Sequence, residues 1–375
     1  MLSKSQYQKP YKYIVVGAGP FGATFARAAA DAGKSVLVLD KRSQLGGNCA
    51  SYWDRGVELH MYGTHVFHTS SRRIWDFVNR FGEFNRYEHR VKASVNGRRF
   101  PVPICLDTIN HYFGVSLSPD QVHEFLKVNG ATGVVGAKSL EQKGISELGP
   151  ELYGAFIRGY SRKQWGADPV DLPASLLSRI PLRTSHDDRY FTDPWQGIPI
   201  EGWGQWFQRL LDGIPVELDC DYLSSRDYWQ ARAVQRVVFT GPIDGYFGCE
   251  LGRLRWRSVS HEFESLPTED YQGAAVINFP GAEPYTRIHE FRHLHPEARN
   301  HHGFTIIARE YATSKVTDPA YPFQGEDDRA LHRRYVELAA SEKHVVFGGR
   351  LGSYAYFNID QSIASALSLA ERELQ

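Results

Sequence analysis

The segment YKYIVVGAGPFGATFARAAADAGKSVLVLDKR, residues 11–42, constrains this chain more than any other. Its apolar runs Tyr13 to Val16 and Val36 to Leu39 read as buried strands, and the alanine-rich stretch Ala23 to Ala32 between them reads as a helix. Gly17, Gly19 and Gly22 fall between the first strand and the helix with the spacing G-x-G-x-x-G. Glycine at those points allows a tight turn, close approach to a pyrophosphate and packing of helix on strand. The start of the helix then offers free N–H groups and a favourable dipole to phosphate. Asp40 closes the second strand, where a ribose hydroxyl would be met. The expected ligand is a dinucleotide, and the fingerprint alone leaves open which one.

The residues after Asp40 favour FAD over NAD. A basic residue, Lys41, and a second glycine pair, Gly46-Gly47, come shortly after the acid, as they often do in flavoproteins with two dinucleotide-type domains. Phe21, inside the fingerprint, joins the expected cofactor contacts. Near the end of the chain, Val345 to Phe347 reads as a strand running into Gly348-Gly349-Arg350, with a helix beginning near Asp360. Flavin folds of this type close with such a helix pointed at the flavin pyrimidine. The two ends therefore form one discontinuous domain with an insertion between them.

Composition narrows the class without deciding it. Lys plus Arg and Asp plus Glu are 43 each, so no overall field recruits nucleic acid or membrane. Cys49, Cys105, Cys220 and Cys249 are scattered without a C-x-x-C pair, which points to reduced thiols and a cytoplasmic setting. No run approaches the roughly 18 apolar residues of a membrane span, and the polar start lacks the apolar core of a signal peptide.

In the middle, Asn96-Gly97 between alternating segments signals a hairpin. Leu106 to Gly166 carries a helical pattern, with Ser118-Pro119-Asp120 as a cap and ELYGAFIRGYSRKQWG as a longer amphipathic run. Beyond Arg179 the proline-punctuated and alternating segments read as sheet strands with loops. The expected fold is α/β: a FAD-binding Rossmann-like domain with an inserted helical module and an antiparallel β-sheet domain. The expected division gives the FAD-binding domain three parts, residues 1–90, 212–247 and 340–375. A β-hairpin spans 91–103, a helical substrate or lid module 104–178, and the sheet domain 179–211 and 248–339.

One string invites a different reading. His289-Glu290-Phe291-Arg292-His293 matches the H-E-x-x-H pattern of zinc peptidases. That pattern needs a helix, so that both histidines share a face. Here Thr286 to His293 alternates, AVINF precedes it and Pro296 follows, so a strand is expected. On a strand the two imidazoles lie roughly 13 Å apart, too far to share one zinc. His60, His65 and His68 lack a Cys or carboxylate at ligand spacing and are expected to line a flavin face. No metal site is expected.

The blocks HMYGTHVFHTSSRRIWDFVNRFGEFNRY, GYSRKQWG, RIPLR, DDRYFTDPWQGIP, FTGPIDGYF, AVINF, PYTRI and VVFGGRLGSYAYF together resemble the UDP-galactopyranose mutases, from about Tyr13 to the C-terminus. The resemblance implies an isomerase that interconverts pyranose and furanose forms of a nucleotide sugar and depends on reduced FAD. In that family, N5 of the reduced flavin attacks the anomeric carbon and expels the diphosphate; the adduct opens, recloses through another hydroxyl, and the diphosphate returns. The protein positions the sugar and stabilises the departing diphosphate.

By the same resemblance Arg179 and Arg287 would be the cations on the diphosphate, and residues 168–178 the lid that delivers Arg179. Tyr190, Tyr321 and Tyr356 match tyrosines that bond the diphosphate. Phe156 and Tyr160 match the stretch on which uracil stacks, and Trp165 the tryptophan under the substrate. His68 is expected in the catalytic set beside flavin and sugar, with Asn85, Asn278 and Asn358 as ligand contacts. For FAD the family points to Gly17, Gly19, Gly22, Asp40, Gly47, Asn48, His65 and Arg350.

Two departures stand out. Asn358 replaces an acid usual in the family, and Met61 and Thr64 stand where lysine and alanine are common. Both bear on the sugar, so UDP-galactose leads and dTDP-fucose or UDP-N-acetylgalactosamine are the alternatives, with a flavin oxidoreductase as a rival of another class. The implied partners are a nucleotide-diphosphate sugar and an external flavin reductant, with a homodimer as a candidate assembly, and neither nucleic acid nor membrane.

Overall fold

The computed structural model describes residues 9–177, 181–298, 303–315 and 318–375, together with the backbone of 178 and 179. Strand Tyr11–Val16 pairs in parallel with Ala233–Phe239 on one side and Val36–Leu39 on the other, and Val345–Phe347 and Val216–Glu217 form the edges of a five-stranded parallel sheet. Alternation along these strands explains why both faces are covered. Tyr13, Val15, Val36 and Val38 enter one apolar cluster, while Ile14, Leu37 and Leu39 enter another. The first cluster receives the helices Pro20–Asp31 and Ile359–Glu373; the second is filled by Tyr222, Trp229 and Tyr246. The closing helix thus begins one residue before Asp360.

The second sheet has seven strands in the order Tyr321–Pro322, Trp256–Leu266, Thr305–Thr313, Arg287–Glu290, Val276–Asn278, Val91–Val95, Arg98–Val102. It is antiparallel except where Val276–Asn278 runs parallel to Val91–Val95, the strand by which the hairpin joins it. The Asn96-Gly97 hairpin forms its edge, with both turn residues at positive φ (50° and 74°), as a primed turn requires.

The sequence expectation for residues 179–211 needs correcting. This segment gives no described strand to the seven-stranded sheet. Trp195–Gly197 pairs instead with Phe67–Thr69 in a separate ribbon, and helix Gly202–Leu210 buries Trp203, Trp206, Phe207 and Leu210 in the main core. Pro181, Pro194 and Pro199 remove ladder donors along the segment, while the i, i+1, i+4, i+5, i+8 spacing of Gly202, Trp203, Trp206, Phe207 and Leu210 makes one helical face apolar.

The helical module contains Leu106–Phe113, Val122–Val128 and Leu140–Leu152, the last broken at Gly149 (φ 77°). A π-turn over Tyr153–Arg158 leads into helix Gly159–Trp165, which ends at Gly166 in the left-handed region. This helix lies so close to the sheet that a Cβ on Gly159 would sit 2.1 Å from the carbonyl oxygen of Pro280. The π-turn and the close approach together aim Phe156, Tyr160 and Trp165 at the sheet.

Candidate active site

At the first site, the glycine turn and helix Pro20–Asp31 meet the loop at Gly46–Cys49. No side chain caps this helix, whose first residue is Pro20, so the N–H groups of its first turn face outward without intrahelical acceptors. Gly19 and Gly47 are opposed backbone to backbone: a Cβ on Gly47 would lie 3.0 Å from the Cα of Gly19. Asp40 pins the turn, accepting from the Ala18 N–H at 2.7 Å and the Arg42 N–H at 2.9 Å. A neighbouring cavity is lined by Asn48, His65, Tyr321 and Arg350 among others. Arg350 donates to the carbonyls of Ala320 and Phe357, which orient the guanidinium without cancelling its charge. The His65 imidazole shares a 2.7 Å hydrogen bond with the Gly63 carbonyl, so Nδ1 carries the proton and Nε2 is left to accept. These features fit a dinucleotide: an uncapped helix start for the pyrophosphate, side-chain-free backbone beside it, and an acceptor and a cation further along.

Two expected cofactor contacts are placed differently. Phe21 is buried and packs beneath the closing turn, where a Cβ on Gly348 would meet its ring at 2.2 Å; it supports the turn from below. Lys41 is exposed. Its neighbour Arg42 is the inward basic residue, bonded to Asn48 Oδ1 at 3.0 Å, paired with Asp318 at 2.6 Å and lying 4.5 Å over the Tyr62 ring. Arg42 follows the extended strand by one residue more, and the backbone bond to Asp40 turns it in.

Tyr321 also belongs to a second cavity, which brings together Phe156, Tyr160, Trp165, Tyr190, Asn278, Arg287 and Tyr356. Arg287 is oriented from two sides: its Nη2 donates to the Tyr160 hydroxyl, and its Nε lies 3.2 Å from Glu310 Oε1. Burial alone would disfavour the charged guanidinium, but the Glu310 carboxylate more than offsets this and holds Arg287 cationic. Asn278 is buried and its Oδ1 has no hydrogen-bond partner; an orphan acceptor aimed into a cavity calls for a ligand donor. Tyr321 and Tyr356 stack with centroids 5.4 Å apart, and Arg350 sits 5.3 Å over the Tyr356 ring, so this pair forms the wall between the two cavities. Phe156 also packs edge-on against Phe100 and Tyr112 at 5.5 and 5.6 Å. The cavity holds about 140 Å³, below the roughly 300–1,000 Å³ of ligand pockets. Leu176 and Leu177, from the turn Ala174–Arg179, are among its lining residues.

Other expected contacts lie elsewhere. His68 pairs with Asp193 at 2.6 Å and stacks on Phe191 at 3.7 Å; it lines neither of these cavities, because pairing with Gln196 turns it toward Asp193. Asn85 lines neither of them either. Its Oδ1 accepts from the Tyr87 and Ile198 N–H groups and its Nδ2 donates to the Leu294 carbonyl, which consumes the amide in joining three segments. Asn358 is the N-cap of the closing helix, with its N–H bonded to Gln361 Oε1 at 2.9 Å. Asp and Asn cap equally well, which accounts for the exchange without reference to a sugar. The side chain of Arg179 lies outside the described residues.

The H-E-x-x-H string resolves into two unrelated groups. The strand ends at Glu290, and Phe291–Leu294 is a 3₁₀ turn, so His293 is not on the strand as the alternation suggested. His289 and His261 both face Glu310, with Nε2 to Oε2 distances of 3.2 and 3.5 Å respectively. The His289 Nδ1 is 3.3 Å from the Thr64 N–H donor, which fixes the proton on Nε2 and makes the link to Glu310 a hydrogen bond. Glu290 points to the opposite face and accepts the N–H groups of Tyr271 and Gln272, while Asp270 accepts that of Gly273. Those carboxylates close a turn, with His293 3.3 Å from each.

Three histidines, His89 and His289 buried and His65 half-buried, give the fold a pH limit. Desolvation is the largest cause: it pushes His65 down to about 3, against the hydrogen bond to Gly63, His89 to about 3, and His289 to about 4, against the pull of the Glu310 carboxylate. Each is neutral in the native state, while an unfolded chain takes up a proton near pH 6.5. Native stability is therefore complete above about pH 6.5 and falls as pH drops through the window toward 4. The loss is about 1.4 kcal/mol per pH unit for each histidine. Thermal melts from pH 7 to pH 4.5 are expected to show a steep, continuous fall in Tm; a flat profile would contradict it.

Sequence reasoning passed over Glu310. It is buried in phase with Ile306 and Ala308, and a carboxylate at an apolar register position of a strand was the available signal. Arg257, also buried, was missed as well; it donates to the carbonyls of Lys163 and Gln164 and so holds the end of the helix that carries Trp165.

Residues 155–356 match the family model described as UDP-galactopyranose mutase, and residues 15–81 match one described as an NAD(P)-binding Rossmann-like domain. The chain is 38% identical to a probable UDP-galactopyranose mutase of Klebsiella pneumoniae, covering 96% of this chain and 94% of that one. It is 33% identical to a dTDP-fucopyranose mutase of Escherichia coli, over 96% and 97% respectively. Its fold matches a crystal structure of reduced UDP-galactopyranose mutase with a TM-score of 0.75 at 15% identity, covering 96% of this chain and 95% of that one.

Proposed function

This chain belongs to the UDP-galactopyranose mutase family, and from that premise we propose that it interconverts UDP-galactopyranose and UDP-galactofuranose with reduced FAD. The observation that carries the reading is the junction at Tyr321. There a cavity with a fixed cation, an orphan amide acceptor and four tyrosines abuts one lined by Asn48, His65 and Arg350, whose Asn48 follows the Gly46-Gly47 loop that faces the glycine turn.

In this reading the glycine turn, Asp40, Asn48 and Arg350 hold FAD, which when reduced supplies the nucleophile for the anomeric carbon. Phe156 and Tyr160 receive the base. Arg287 faces the diphosphate and stabilises the negative charge that develops as the anomeric bond breaks. Arg179 joins it when the turn Ala174–Arg179 closes over the bound nucleotide, excluding water from the reacting sugar. Tyr190, Tyr321 and Tyr356 donate to the phosphates, and Asn278 accepts from a hydroxyl of the ligand. An external reductant keeps the flavin active, and the protein works in the cytoplasm, with a homodimer as its assembly.

The 33% identity to a dTDP-fucopyranose mutase makes dTDP-6-deoxyhexose the second substrate to test. Calorimetric titration of the FAD-loaded protein with UDP and dTDP separates the two. UDP is expected to bind roughly tenfold tighter, because the nucleotides differ by a ribose hydroxyl and a base methyl. Tighter binding of dTDP would move the assignment to the deoxysugar.

A further inference from the structure

We propose that Glu310 is the positioning residue of the Arg287 clamp, latched from the opposite side by Thr64 through His289. The inference rests on the reading of Arg287 as a diphosphate ligand. Strand register creates the arrangement. Arg287 and His261 lie directly opposite Glu310 on its two neighbouring strands, and His289, two residues beyond Arg287, shares its face. The two carboxylate oxygens divide the work. Oε1 accepts from Thr286 Oγ1 at 3.0 Å and is ion-paired with Arg287, its Nε 3.2 Å away; Oε2 accepts from His289 Nε2 at 3.2 Å. His289 Nδ1 in turn is 2.9 Å from Thr64 Oγ1. The next residue along from Thr64 is His65 of the cofactor cavity.

A metal at His261, His289 and Glu310 is disfavoured by these same contacts. The Nε2 proton of His289 points at Glu310, and the guanidinium of Arg287 already occupies the other oxygen. The group is instead a chain of donors and acceptors running from the loop Met61–His65 to the clamp. Glu310 is only 2% exposed at its side chain, so an unbalanced charge on either partner is costly, and each holds the other in place. Ion-paired through Nε with Glu310 and donating from Nη2 to Tyr160, the guanidinium is tied on two sides and presents its remaining donors to the cavity.

The test is a double-mutant cycle on the full-length, FAD-loaded protein, with UDP as the probe and Tm as a second readout. Arg287→Ala strands Glu310 and lowers Tm by roughly 5 °C. Adding Glu310→Gln restores most of that loss. Alone, Glu310→Gln removes the counter-charge near the diphosphate, so UDP binds roughly tenfold tighter, while turnover falls because the guanidinium is no longer fixed. In the Arg287→Ala background the same charge is removed without unfixing a guanidinium, so Glu310→Gln tightens UDP binding more than it does alone, by roughly a further threefold or more. The proposal is overturned if the double variant is no more stable than Arg287→Ala, or if Glu310→Gln shifts UDP affinity equally in both backgrounds.

Glu310→Asp is the milder variant. It keeps the charge but withdraws it, so turnover is expected to fall roughly tenfold with UDP affinity within about twofold. A parallel loss of both would mark a structural residue only. If the unmodified protein binds no UDP, the assigned function fails, and the Tm cycle still decides whether Glu310 holds Arg287.

Discussion

Arg287→Ala lowers turnover by roughly 100- to 1,000-fold and leaves FAD bound. The magnitude is that of removing one preorganised donor from the place where charge develops in the transition state. Arg287 is the described cation in the cavity with Phe156, Tyr160 and Tyr321, and it is held charged by Glu310 and Tyr160 before any ligand arrives. No reorganisation is then needed when the diphosphate leaves and returns. FAD retention follows from distance in the fold, because Arg287 lies on the second sheet while the glycine turn and Asp40 belong to the first. Assays are best run well below the melting temperature, since the stranded Glu310 carboxylate costs about 3–5 kcal/mol. Arg179→Ala is expected to act in the same direction. Near-native turnover in Arg287→Ala would remove the clamp from the mechanism.

Gly22→Ala abolishes stable FAD binding. A Cβ at this position would stand 1.9 Å from the Gly17 carbonyl oxygen and 3.1 Å from the Val15 side chain. The carbonyl is backbone in a turn that cannot yield cheaply: Gly17 is itself at φ 110°, and its N–H is bonded to Leu39. The helix Pro20–Asp31 therefore has to move outward, taking its uncapped first turn away from the pyrophosphate position. Purified Gly22→Ala protein is expected to be colourless, with an FAD content below about a tenth of wild type, since retreat of the anion site forfeits several favourable contacts at once. Full flavin occupancy would mean that the helix start does not hold the phosphates.

The Rossmann unit was readable because its residues obey one local rule at a time. Tyr13 to Val16 and Val36 to Leu39 are apolar on both faces, as a covered parallel sheet demands, and Gly17 and Gly22 each answer a clash that a Cβ would create. The hairpin at Asn96-Gly97 was legible for the same reason: its turn type needs two positive φ values. Residues 179–211 were less legible, because pairing of Trp195–Gly197 with Phe67–Thr69 is a long-range choice that no local pattern specifies. The string His289 to His293 shows the same limit. Alternation persists to His293, yet the strand stops at Glu290, where its carboxylate turns away to accept two backbone N–H groups. At the candidate site, Arg287 and the aromatic positions carried by the family resemblance gather in one cavity. Glu310, which orients the arginine, has no motif of its own and emerges only from strand register.

The central claim is that this protein rearranges a nucleotide sugar only when its flavin is reduced. Its direct test is incubation of the FAD-loaded protein with UDP-galactofuranose, with and without dithionite, and chromatographic separation of the ring forms. UDP-galactopyranose is expected to accumulate in the reduced sample alone, with no net consumption of reductant. Equal conversion in the oxidised sample, or a yellow protein that reduces and still leaves UDP-galactofuranose unchanged, would contradict the account.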